Sequence, residues 1–194
     1  MLCCYTMKSP IHEAVSHRNH DKLKQLLGEG VDPNLIFKGE TPMTEAVRLN
    51  DTISIDILLD YGAAKVIYNN QPLMKAYQQN VISDLLWGGI DPNKTDPITG
   101  DAPLHDAARR ADIKKAEQLL KYGAYIDIQN AKTGMTPLHT CATSVVDSYV
   151  MTTFLLDRGA MPNSLDNDGK TPLYYAKMKN KDIVSLIIGR RGGV

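Results

Sequence analysis

Three histidines, His12, His105 and His139, are the residues best suited to proton transfer or metal ligation. Each stands two residues after a proline, and each falls in a different segment of the chain, so no two make the i, i+4 pair of a helical metal site. His17 and His20 are at i, i+3 on a polar stretch, and no cysteine or carboxylate pattern completes a metal site around them. A solvated turn is expected there. Cys141 occupies a place where other segments have alanine, which points to packing and not to a nucleophile. Asp166 and Asp168 lie in a turn-forming run and pair with no acid–base partner. No nucleophile elbow, phosphate loop, zinc-protease or dinucleotide motif is present. Catalysis, a metal and a cofactor are therefore not expected.

Composition agrees. Lys plus Arg and Asp plus Glu are both 22, for a formal charge of zero. Such a chain lacks the basic footprint of a nucleic-acid binder and the polybasic segment of a membrane-surface protein. No apolar run reaches the roughly 18 residues of a membrane span, and Met1 to Lys8 has no apolar leader core. The cysteines number 3, Cys3, Cys4 and Cys141, so a disulfide framework is not expected. A reducing compartment, cytosol or nucleus, fits. Cys3 and Cys4 are either a palmitoylation site or part of a frayed terminus.

The elements that position these residues follow from an internal repeat. Six tetrads are anchored on proline: Ser9-Pro10-Ile11-His12, Thr41-Pro42-Met43-Thr44, Gln71-Pro72-Leu73-Met74, Ala102-Pro103-Leu104-His105, Thr136-Pro137-Leu138-His139 and Thr171-Pro172-Leu173-Tyr174. Successive prolines are 32, 30, 31, 34 and 35 residues apart. A small residue stands four after each: Ala14, Ala46, Ala76, Ala107, Cys141 and Ala176. A second landmark, Leu-Leu-x-x-Gly, begins at Leu26, Leu58, Leu85, Leu119 and Leu155. A third, Pro-Asn, recurs at Pro33-Asn34, Pro92-Asn93 and Pro162-Asn163.

One unit is readable from these landmarks. Thr or Ser before Pro predicts an N-cap followed by the first helical position, with the hydroxyl accepting an orphan backbone N–H. A second helix ends at the Leu-Leu pair, and Gly suits its left-handed cap. A turn follows, ending in Gly39, Gly100, Gly134 or Gly169 three before the next Pro, with Asn69 in that place in the third unit; positive φ is expected there.

This pattern resembles the ankyrin repeat, with its period of about 33 residues and T-P-L-H-x-A signature. The likeness covers about residues 8 to 190 and is best at Ala102-Pro103-Leu104-His105-Asp106-Ala107-Ala108. It implies an all-α ankyrin solenoid of stacked helix–loop–helix units with β-hairpin-like fingers. It implies a single domain, 1–194, with repeats near 8–39, 40–69, 70–100, 101–134 and 135–169, and 170–194 as a C-terminal cap or the point where a longer array is cut. His12, His105 and His139 would make structural hydrogen bonds within and between repeats.

The spacing breaks in two places. Pro to Leu-Leu is 16 residues in repeats one, two and four, 13 in repeat three and 18 in repeat five. Repeat three is expected to be the weakest coupling, with Trp87 filling the gap or serving as an exposed anchor. The extra residues of repeat five are expected near Thr143 to Asp147. The sixth unit has Arg191 where a cap Gly is expected, and its Lys177, Lys179, Lys181, Arg190 and Arg191 suit a water-facing cap.

The resemblance also implies a monomeric array that binds another protein, as adaptor or inhibitor, through its fingers and the concave face of its first helices. Family contact positions carry over to Phe37, Lys38, Arg48, Ile67, Tyr68, Gln78, Ile98, Thr99, Asp101, Arg109, Arg110 and Met135, with Thr143, Ser144, Lys170 and Lys179 further along. Phe37, Ile67, Tyr68 and Ile98 put apolar groups where solvent is otherwise expected, beside Arg109 and Arg110. A structural scaffold within a longer chain is the alternative. Irregular repeat lengths are similar to those of viral and intracellular-bacterial ankyrin proteins, including mimics of the NF-κB inhibitor, which act in the host cytosol. Asn34, Asn93 and Asn163, each eight residues after a Leu, resemble ankyrin sites modified by an asparaginyl hydroxylase; the competing reading is a turn residue.

Overall fold

The computed structural model describes residues 9–63, 71–76, 78–146 and 148–192. The chain divides into two compact units, Met1–Ile90 and Asp91–Val194. Twelve helices and no strand ladder are present among the described residues. Ile67, Tyr68, Asn69, Cys3 and Cys4 lie outside them.

The first unit holds α1 (Pro10–Ser16), α2 (His20–Gly28), α3 (Pro42–Arg48), α4 (Thr52–Asp60), α5 (Gln71–Lys75) and α6 (Gln79–Trp87). The second holds α7 (Pro103–Arg110), α8 (Ile113–Lys121), α9 (Pro137–Thr143), α10 (Tyr149–Asp157), α11 (Pro172–Met178) and α12 (Asp182–Arg190). Within the first unit α1, α3 and α5 pack in one row and α2, α4 and α6 in another; within the second, α7, α9 and α11 form one row, and α12 packs on α10. The apolar residue after each anchoring proline is buried: Ile11, Met43 and Leu73 in one unit, Leu104, Leu138 and Leu173 in the other. Ala107, Ala108, Ala142 and Ala176 are buried too; their small side chains let helices approach closely.

Helix starts follow the tetrads, but the capping differs from the expectation. Thr41 and Thr171 accept the N–H of Thr44 and Tyr174. Ser9 and Thr136 do not cap a helix N–H. Their hydroxyls turn to the Nδ1 of His12 and His139 at 2.7 and 2.9 Å. Where histidine follows, the hydroxyl donates to its ring nitrogen and accepts no helix N–H.

The expected left-handed glycines are found at Gly39, Gly100, Gly134 and Gly169. At Gly100 (φ +79°) two demands coincide, because a Cβ would also stand 2.6 Å from the Asn130 Oδ1 of the next finger. The last unit corrects one expectation. Gly192 is the cap residue, with φ +89°. Pro172 to Ile188 spans the same 16 residues as Pro10 to Leu26, so α12 ends in register and Arg191 precedes the cap.

Of the two readings of Trp87, the one in which it fills the gap is overturned. It is 84% exposed at the end of α6, while Val81, Ile82, Leu85 and Leu86 take the buried face. One residue beyond Leu86, the helix turns it about 100° away from the core.

Candidate functional site

Fingers and first helices position the carried-over contact residues. In the second unit each finger closes on itself: Asp96 N–H donates to Asp101 O at 2.8 Å, Asn130 N–H to Met135 O at 2.8 Å and Asp166 N–H to Lys170 O at 3.1 Å. The Asp96 carboxylate accepts from Ile98 and Thr99 N–H at 2.9 and 2.8 Å. Asn130 Oδ1 does the same for Lys132 and Thr133. These are Asx-type turns. Successive fingers are tied by Ala131 N–H to Gly100 O and Asn167 N–H to Thr133 O, at 2.9 and 3.0 Å.

The histidines set each finger against the preceding first helix. His105 Nδ1 accepts the Ala102 N–H at 3.1 Å, so the proton is on Nε2, which donates to Met135 O at 2.8 Å. His139 repeats this with Thr136 N–H and Lys170 O, at 3.1 and 3.0 Å. His12 Nε2 meets Glu40 O at 3.1 Å in the first unit. Burial lowers the pKa of His105 and His139 below the usual imidazole value, outweighing their carbonyl partners. These rings are structural links of the kind the resemblance implied.

A groove of about 480 Å³ opens in the second unit between the fingers and the ends of α7 and α9. Thr99, Asp101, Arg109, Met135, Thr143 and Ser144 line it, together with Asn130, Thr133, Thr140 and Val145. Arg109 is half-exposed and pairs with the buried Asp101, which also accepts from Asn130 Nδ2 at 2.6 Å. Asp101 thus reaches the surface through Arg109. Arg110 pairs with Asp106 at 2.9 Å, and Asp106 also faces the fully buried Lys115 at 3.1 Å. Ile98 is 71% exposed at a finger tip.

In the first unit Arg48 and Gln78 line a groove of about 300 Å³ with Val47, Asn50, Lys75 and Val81. Phe37 is half-buried: its ring packs 5.7 Å from that of His12, with the Lys38 ammonium 5.5 Å above it. Phe37 and Glu40 form an isolated β-bridge, the hairpin-like feature expected of a finger.

Asn130, Thr140 and Val145 were not among the nominated contact residues. Asn130 carried a signal, an amide four residues before a turn glycine; Val145 belongs to the flagged insertion. Asn93 serves as a tie: its Nδ2 donates to Gly123 O at 2.9 Å and its Oδ1 accepts from Tyr125 N–H at 2.7 Å. Asn163 Nδ2 donates to Gly192 O at 2.8 Å. The Asn34 N–H donates to the Asp32 carboxylate at 2.8 Å. His17 is exposed, whereas His20 Nε2 lies 3.0 Å from Asp51. The Cys141 thiol is fully buried, and burial pushes its pKa up to about 12, so it packs.

Stacked helix pairs, histidine-locked fingers and a groove beneath them define an ankyrin array, and the comparisons agree. The family model described as ankyrin repeats (3 copies) matches residues 11–96, 73–166 and 104–193. This chain belongs to the ankyrin repeat family. It is 40% identical over 159 residues to the human SH3 and multiple ankyrin repeat domains protein 2, covering 81% of this chain and 8% of that protein. It thus spans a small part of that relative's length. An ankyrin repeat protein of fowlpox virus (strain NVSL) is 30% identical over 179 residues, covering 86% of this chain and 90% of the viral protein. The crystal structure of the ankyrin repeat domain of Bcl-3, described as a unique member of the IkappaB protein family, shares the fold with a TM-score of 0.83 at 22% identity, covering 96% of this chain and 87% of that one. Ankyrin repeats are protein–protein interaction modules and are typically non-catalytic. No helix among the described residues is long and apolar enough to cross a membrane.

Proposed function

We propose that this chain is a non-catalytic adaptor or inhibitor that holds a partner protein against its finger tips and first-helix faces, acting in the cytosol or nucleus. The observation that carries this reading is the groove of the second unit. Thr99, Asp101, Arg109 and Met135, nominated from widely separated stretches of sequence, line one opening of about 480 Å³. Met135 and Arg109 on that lining are residue types enriched at interfaces.

The test is affinity capture from cells that make the protein. Ile98→Asp combined with Met135→Glu should abolish recovery of the specific partner, with the melting temperature within a few degrees of wild type. Undiminished recovery would reject this face. A narrower second reading is a pathogen factor aimed at a host signalling protein in the manner of an NF-κB inhibitor; the match along 90% of a fowlpox virus protein supports the pathogen part of it. Recovery of a partner from host cytosol, and not from the producing organism's own proteins, separates the two.

A further inference from the structure

Repeat five carries its two extra residues between α9 and α10, and they are pinned. Ser144 Oγ donates to Arg109 O at 2.8 Å and accepts the Val146 N–H at 3.1 Å. Ser148 Oγ donates to Cys141 O at 2.6 Å. Lys181, from the next repeat, donates to Cys141 O and Val146 O at 3.1 and 3.2 Å. Ser144 and Ser148 are buried, yet the valine they flank is not: Val145 is 101% exposed at the rim of the groove, and Val146 is 43% exposed. For Val145 this arrangement gains no apolar burial within the unit. It does create a preformed knob whose β-branched side chain has little rotamer freedom left to lose on binding.

Charge is sorted around the same face. At the finger tips and first helices of this unit, Asp96, Asp101, Asp106 and Asp166 are buried, holding turn N–H groups or ion pairs. The cations are exposed: Arg109 and Arg110 on their buried partners Asp101 and Asp106, Lys132 with its ammonium donating to Ile98 O, and Lys177 and Lys179, while Lys170 is half-buried above the Tyr174 ring. Asp168 is the exposed carboxylate there among the described residues. A neutral chain therefore presents a cationic contact layer at this place.

We propose that this face takes an acidic peptide segment of the partner protein, one aliphatic or aromatic side chain seated on Val145 beside Met135, and carboxylates facing Lys132, Lys170 and Lys179. This rests on the protein-binding reading and names the chemistry of the partner. A nucleic-acid strand matches the charge but offers the knob flat bases, at most with a thymine methyl, where a peptide offers a whole aliphatic side chain.

The test is fluorescence anisotropy on the full chain with three labelled probes. They are a roughly twelve-residue peptide alternating Glu and Leu, the same peptide with Gln for Glu, and oligo-dT of similar length. The Glu peptide should bind about tenfold or more tighter than the Gln peptide and weaken as NaCl rises from about 50 to about 300 mM. Val145→Ser, and separately Lys132→Glu with Lys179→Glu, should each weaken it by about tenfold while circular dichroism and melting stay as in wild type. Equal binding of the Gln peptide overturns the acidic assignment and leaves the protein-binding reading standing. Tighter binding of oligo-dT, or variants that bind like wild type, overturns the proposal. So does binding of none of the three, in which case the capture experiment alone decides the broader reading.

Discussion

Repeats three and five depart from the period in opposite directions, and both absorb the change at the same place. The second helix has nine residues in all six repeats. The first helix has seven or eight residues except in repeat three, where α5 has five. The deletion falls at the end of that first helix, and the insertion of repeat five follows the end of α9. The second helix carries the Leu-Leu pair and the glycine cap and is buried against its neighbours, so its register is expensive to alter. The end of the first helix borders solvent, where length changes cost little. The outcome for function is unequal. Repeat three loses surface on its first-helix face, and repeat five adds a pinned apolar knob to it.

Leu73 and Leu138 hold equivalent places in these two repeats, and both are fully buried. Leu138→Ala should cost about 3–5 kcal/mol, since Ala142, Leu173, Ala176 and Ile188 surround it in a well-built cluster. Leu73→Ala, on the five-residue α5, should cost nearer about 2 kcal/mol because a shorter helix can settle into the space. Denaturant titration of both variants checks this; equal losses would mean that the truncated helix packs as firmly as the full one.

Hydrogen exchange sharpens the same comparison. Amides of Ala76 to Leu86 should exchange faster than those of Met151 to Leu156, reflecting a weak coupling at repeat three. Best protection in the 76–86 segment would overturn it.

The histidine locks make a pH prediction for the second unit. His105 and His139 have folded pKa values lowered from 6.5, chiefly by burial. The unfolded chain therefore binds these protons more readily, so stability is fully present above about pH 6.5 and declines as pH falls toward the folded values. Thermal unfolding from pH 7.5 down to pH 5 should show that decline, and His139→Asn should flatten it. A flat wild-type profile would reject neutral histidines as the cause.

The smallest effect concerns the turn before α8. Ala111 adopts φ +55°, a left-handed conformation that disfavours a Cβ. Ala111→Gly should raise stability by up to about 1 kcal/mol, measured by the denaturation midpoint. A loss would show that the gain in unfolded-chain entropy outweighs relief of the turn.

Much of this protein was decided locally and was therefore legible in the sequence. Pro starts a helix because its ring presets φ and it has no N–H to leave unsatisfied; Gly ends one because only it adopts positive φ without penalty. Those two facts, repeated, placed the helices, the fingers and the small residues between them. They also gathered Thr99, Asp101, Arg109 and Met135 at one level of the repeat. Tertiary structure decided what depends on a neighbour. It turned the hydroxyls of Ser9 and Thr136 to histidine rings instead of helix N–H groups, left Trp87 in water and made Gly192 the last cap. It set Asp101 inward and Arg109 outward, and it fastened the repeat-five insertion with a lysine from the following repeat. Local spacing records where an element begins and ends. Which face a side chain shows, and which atom it meets, is settled only when the next repeat packs against it.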